Sequence, residues 1–166
     1  MDREFVNYGI RFQYPADWEL TEQAKTGEVS VTVSSPHTAF WIVTLFYDRP
    51  EPQEIIETVL AAFHEEYDEM DDYPARVRLC QHKTVARDIE FVCLELLNSA
   101  WARSFRTEDY TVLVLYQASD VDLDETQPVM EAITRSLKCN GSGKQTPAIE
   151  AEPSVWNFQP EDFDDE

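Results

Sequence analysis

The chain of 166 residues carries 33 acidic and 13 basic side chains, a formal net charge of −20, with 43% hydrophobic and 12% aromatic residues. That apolar content is enough for a core and excludes global disorder, and the length fits one domain. The charge excludes nucleic acid as a partner, because binding it requires Lys and Arg to neutralise phosphates, and it disfavours anionic membrane surfaces.

Ile10, Phe12 and Tyr14 alternate with Arg11 and Gln13, the pattern of a half-buried strand that Pro15-Ala16-Asp17 breaks before Trp18 and Leu20. Val29, Val31 and Val33 alternate with Ser30, Thr32 and Ser34 in a cleaner strand. Residues 39–47 are apolar at nearly every position, as a strand covered on both faces requires. From Pro52 to about Met70 the period changes. Ile55, Ile56, Val59, Leu60, Phe63, Tyr67 and Met70 fall at helical spacing, Pro52 suits the first turn, and Asp71-Asp72-Tyr73-Pro74 ends the helix. Strands are predicted near residues 76–82, 89–97 and 100–106, and a doubly apolar strand at 110–117. A second helix is predicted over 126–137, with Val129, Met130, Ile133 and Leu137 inward.

This order predicts an α+β domain over residues 1–139, with a mostly antiparallel sheet flanked by helices. Gly141-Ser142-Gly143-Lys144 opens a linker, and residues 140–166 form a flexible acidic tail. Seven acids and one lysine give the tail −6 of the net charge, so the domain itself carries −14. Met1-Asp2-Arg3-Glu4-Phe5 has no basic region followed by an apolar run, and no apolar stretch is long enough to span a bilayer. With an odd count of three cysteines and no disulfide-framework spacing, the chain reads as cytoplasmic with reduced thiols.

Phe12-Gln13-Tyr14-Pro15-Ala16-Asp17-Trp18 resembles the aromatic-x-Tyr-Pro-x-x-Trp opening of the PsbP-like proteins, which share a fold with the Ran-binding import factor Mog-one. Residues 128–137 resemble the last helix of that family. The resemblance spans about residues 9–138. It implies a Mog-one/PsbP-like α/β/α sandwich and functions in binding and assembly rather than catalysis. Tyr14, Pro15 and Trp18 are read as a packed corner, not a site. No partner-specific motif transfers Ran binding or toxin-chaperone activity to this chain.

The chemistry-bearing motifs each have a plainer explanation. Asp120, Asp122 and Asp124 alternate as Ca²⁺ ligands do, with Glu131 at the twelfth position, but Glu125 stands where that loop needs glycine. Those acids are expected to favour the positive end of the second helix, capped by Asp124 or Thr126. Cys80, His82 and Cys93 lack a fourth zinc ligand. With strands paired about Val85-Ala86, Cys80 and Cys93 would share a face diagonally at roughly 7–8 Å, too far for a disulfide. His37, His64 and His82 stand beside no nucleophile turn, and the Gly141 run lacks the flanking residues of a phosphate loop. No catalytic, cofactor-binding or metal residue is therefore assigned.

The acidic run from Glu65 to Asp72 is read as the solvated helix end or a docking patch for a basic partner. A merely solubilising tail has no use for aromatics, so Trp156, Phe158 and Phe163 are the candidate partner-binding residues. The expectation is a monomeric, non-catalytic protein-binding or assembly module. The alternatives are a chaperone-like adaptor shielding apolar client segments and, more distantly, a small metal-dependent or carboxylate-based hydrolase.

Overall fold

The computed structural model describes residues 1–139 together with Phe158 and Pro160. The strands, in chain order, are β1 (Arg3–Asn7), β2 (Ile10–Tyr14), β3 (Glu19–Lys25), β4 (Glu28–Ser34) and β5 (Phe40–Phe46). Helix α1 (Pro52–Glu66) precedes β6 (Met70–Ala75), β7 (Arg78–Leu79), β8 (His82–Lys83), β9 (Val85–Cys93), β10 (Leu96–Arg106) and β11 (Thr111–Ser119). Helix α2 (Leu123–Ser136) and the short β12 (Lys138–Cys139) follow.

Seven strands form one antiparallel sheet in the order β3-β4-β5-β11-β10-β9-β6, with the apolar β5 and β11 near its middle. The two edges carry charge. β3 is almost wholly exposed and bears Glu19, Glu22 and Lys25, while β6 bears Asp71, Asp72 and Pro74. Charge and proline at an edge discourage pairing with another chain. β2 does not join this sheet; it pairs with β1 and β12 in a separate three-stranded sheet.

Because side chains alternate across a strand, β5 and β11 each feed two cores. Trp41, Val43, Leu45, Val112 and Val114 join Phe5, Ile10 and Phe12 of the small sheet and Met130, Ile133 and Leu137 at α2. Phe40, Ile42, Phe46, Leu113 and Leu115 join Ile55, Ile56, Val59 and Phe63 of α1. Tyr14 and Trp18 are buried in the first core, and the Trp18 amide donates to the Pro15 carbonyl at 3.2 Å, which closes the corner between β2 and β3. The Trp41 indole donates to Thr134 Oγ1 at 2.8 Å, tying β5 to α2. The described helices include none long and apolar enough to cross a membrane.

Four expectations need correction. No single strand spans residues 76–82, because a turn at Cys80-Gln81 separates β7 from β8. Helix α1 stops at Glu66, where Tyr67 turns extended and buries its ring against Phe63 and Phe91. Of the acidic run, Glu65 and Glu66 are the exposed helix end, whereas Asp71 and Asp72 lie in the edge strand β6. There Asp72 accepts from Arg87 at 3.1 Å and lies 3.8 Å from His64. Residues 89–97 are not one strand, because a two-residue turn at Leu94-Glu95 separates β9 from β10. Helix α2 begins earlier than predicted, with Asp122 at its N-cap position.

Candidate functional site

The turn at Leu94-Glu95 is the most unusual surface feature among the described residues. Cys93 pairs with Leu96, so the loop has two residues, and their φ values are 54° and 67°. A two-residue hairpin with both φ positive favours Asn and Gly, because a Cβ crowds the backbone there. Leu94 accepts that cost and is 89% exposed, so the position serves neither the turn nor the core.

Its neighbours extend the pattern. Leu96 and Leu97, at the start of β10, are 41% and 45% exposed. Asp120 donates its amide to the Leu97 carbonyl at 2.8 Å, which brings the loop between β11 and α2 alongside the hairpin. That loop presents Val121, 70% exposed. Four exposed aliphatic residues thus stand at one end of the large sheet, Leu96 and Leu97 on opposite faces of β10, and exposed Glu95, Asp120, Asp124 and Glu125 stand among them. Scattered single apolar residues need no explanation, but a group rimmed by charge is the composition of an interaction surface.

The platform beneath is rigid for a definite reason. Asp122 is buried and turns inward, accepting from the Thr38 amide at 3.2 Å and from the Thr38 hydroxyl. That hydroxyl in turn accepts from the Ser119 amide at 3.1 Å. Asp122 therefore binds protein, and Asp120 and Asp124 point outward, so the three alternating acids do not converge. Neither Asp124 nor Thr126 occupies the cap position. Replacing Asp122 by Ala orphans the Thr38 amide and is expected to cost about 1–3 kcal/mol, read as a lower denaturation midpoint with unchanged slope.

The cysteines are arranged differently from the sequence reading. β7 pairs with β8 through a turn at Cys80-Gln81, while β9 pairs with β6 and β10. Cys80 thus lies away from the register assumed for Cys93, and its neighbour is Cys139, with the two Sγ atoms 3.2 Å apart. His82 bonds the Cys80 carbonyl through Nδ1 at 3.0 Å and stacks on Phe105. Among the described residues no three His, Cys, Asp or Glu side chains form a metal-holding group.

Of the three tail aromatics, Trp156 and Phe163 lie outside the described residues. Phe158 is 6% exposed and packs against Phe63 with ring centroids 5.7 Å apart. Its ring joins the core beside α1 instead of facing a partner, and the physical reason is that Phe63, Tyr67 and Phe91 form an aromatic seat there. The exposed hairpin residues were missed because Leu94, Leu96 and Leu97 read as interior strand positions. A Leu-Glu turn carries no Gly or Asn to mark it.

The described residues form an α+β protein whose mostly antiparallel sheet is accompanied by two helices. No protein-family model and no curated protein matches the sequence. Solved structures do. One from Bacteroides thetaiotaomicron VPI-5482 aligns with 87% of this chain and 50% of its own at a TM-score of 0.55 and 14% identity, so this chain spans half the length of that protein. Cyanobacterial PsbP (CyanoP) from Synechocystis sp. PCC 6803 aligns with 82% of this chain and 91% of its own, at a TM-score of 0.49 and 13% identity. LpqN, involved in cell envelope biogenesis of Mycobacterium tuberculosis, aligns over 82% and 90%, at 0.47 and 11%. At 14% identity, the likeness to the Bacteroides structure is one of fold alone.

Proposed function

We propose that this chain is a non-catalytic binding or assembly module that docks a protein partner through Leu94, Leu96, Leu97 and Val121. The observation that carries the reading is the exposed Leu94 in a strained turn, where folding alone favours a small or polar residue. The acids around the tip and the net charge of −20 fit a partner with an apolar pocket rimmed by Lys and Arg. The same charge opposes a second copy of this chain, so the free protein is a monomer in this reading.

The two cores fit a three-layer arrangement, with α1 over one sheet face and α2 with the small sheet over the other. That covering leaves the strand ends and the edge strand β3 as free surface. Trp156 and Phe163 would supply a second contact from the tail, and the compartment consistent with unpaired thiols is the cytoplasm. The chaperone alternative calls for a groove of exposed aromatics. Among the described residues the large exposed apolar side chains include a single aromatic, Tyr73, on the opposite edge strand from β3, so the binding module is favoured.

The test is site-specific photo-crosslinking in cells of origin, with the reactive residue at Leu94 and, as control, at exposed Glu57 on α1. A discrete protein adduct at Leu94 that disappears with Val121→Glu supports the reading. Equal labelling at both positions, or adducts indifferent to Val121→Glu, would overturn it.

A further inference from the structure

We propose that Cys80 and Cys139 form a thiol–disulfide exchange site, whose cationic pocket seats an anionic low-molecular-weight disulfide as oxidant. Two independent observations, the pair and the pocket, converge on it, and the environment of the two thiols agrees with them.

The first is the pair itself. Cys80 opens the two-residue turn between β7 and β8, and Cys139 ends β12, which β2 holds in register through Ile10. Residues 59 apart in sequence are thereby brought to an Sγ–Sγ distance of 3.2 Å, and Cys80 Sγ also reaches the Leu137 carbonyl at 3.5 Å. A disulfide needs about 2.05 Å, so the two sulfurs have about 1 Å left to close. Both thiols are half-buried rather than sealed in the core.

The second is the pocket. A cavity of about 390 Å³ is lined by both cysteines and by Arg11, Arg78, Arg135 and Lys138. Four of the chain's 13 basic side chains therefore share one pocket on a molecule of charge −20. Among the described residues none of the four reaches a carboxylate, although the ion pairs at Asp72, Asp88 and Glu51 engage other cations. Cations left unneutralised amid so many acids create a local field that selects anions.

Consistent with both is the division between the thiols. The hydrogen bond shared with Cys139, and to a smaller degree the charge of Lys138, hold the Cys80 thiol below the ordinary range, against the opposing effect of burial. The same hydrogen bond, together with burial, pushes Cys139 up. Cys80 is the attacking thiolate and Cys139 the proton-bearing resolving thiol.

The exchange balances in two steps. Cys80 thiolate attacks one sulfur of R–S–S–R, that bond breaks, and R–S⁻ leaves and takes a proton. Cys139 then gives up its proton and attacks Cys80 Sγ, which expels the second R–S⁻ to be protonated in turn. Two protein thiols become one disulfide, and one small disulfide becomes two thiols. The new bond ties the β7–β8 turn to β12.

The test treats the reduced full chain with oxidised glutathione or with neutral hydroxyethyl disulfide, each rate normalised to a free thiol in solution. Peptide mapping is expected to find a Cys80–Cys139 bond while Cys93 stays alkylatable. Cys139→Ser should trap glutathione on Cys80, with Cys139→Ala as a second variant should a hydroxyl there disturb folding. The anionic disulfide should react about tenfold faster, and Arg78→Ala with Arg135→Ala, which removes two of the four cations, should reduce that preference. Glutathione accumulating first on Cys93, or no adduct on Cys80 in folded Cys139→Ala, would overturn the exchange site. Equal normalised rates for the two disulfides would overturn the anion pocket.

Discussion

Phe63→Ala is expected to cost about 3–5 kcal/mol of stability. Phe63 is fully buried and is where α1 meets the sheet, with Phe91 at 5.0 Å, Tyr67 at 5.9 Å and Phe158 at 5.7 Å between ring centroids. Truncation removes the ring's transfer free energy and opens a cavity that three aromatic neighbours cannot all collapse into. The check is denaturant unfolding followed by far-ultraviolet circular dichroism, and an unchanged midpoint would mean that the ring does not sit in this core. Since Phe158 packs on the same ring, a chain ending at Cys139 should show a smaller penalty for Phe63→Ala than the full chain.

Ile133→Ala is expected to cost about 2–5 kcal/mol, by the same measurement. Ile133 is fully buried on α2 and belongs to the other core, with Phe12, Trp41 and Val114. The two losses should add within about 0.5 kcal/mol in the double variant, because the residues share no packing neighbours. A coupling well above that would contradict two separate cores on opposite faces of the sheet. Comparing the double variant with the two single ones thus tests the layering as well as the burial of each residue.

The elements that announced themselves in the sequence are those whose burial is regular. Val29, Val31 and Val33 alternate because β4 is covered on one side, and residues 40–46 are apolar except Thr44 because β5 feeds both cores. Helix α1 overran in the reading because Tyr67 and Met70 continue the helical spacing of Phe63, although they belong to the cap and to β6. β3 offers no period because an edge strand exposed on both faces has no face to mark.

The tight turns were the largest loss. Tyr8-Gly9 carries a glycine, but Cys80-Gln81 and Leu94-Glu95 adopt positive φ with ordinary side chains. Residues that resist their own turn give no turn signal, and these two turns hold the candidate thiol site and the candidate docking tip. The Cys80–Cys139 pair was illegible for another reason. Its members meet through β12, a two-residue strand at the end of the described domain that no periodicity can reveal.

The most direct test of the docking reading is calorimetric titration of the purified crosslinking partner into three versions of the full chain: unaltered, Leu94→Glu, and Val6→Glu. Val6 is 65% exposed on β1, in the small sheet, and controls for charge added to any exposed apolar position. The account predicts that Leu94→Glu weakens binding about 100-fold, as loss of an apolar anchor at the centre of an interface does. It predicts no change for Val6→Glu, and weaker binding of the unaltered chain as salt is raised. Full affinity in Leu94→Glu, or equal weakening by Val6→Glu, would contradict it.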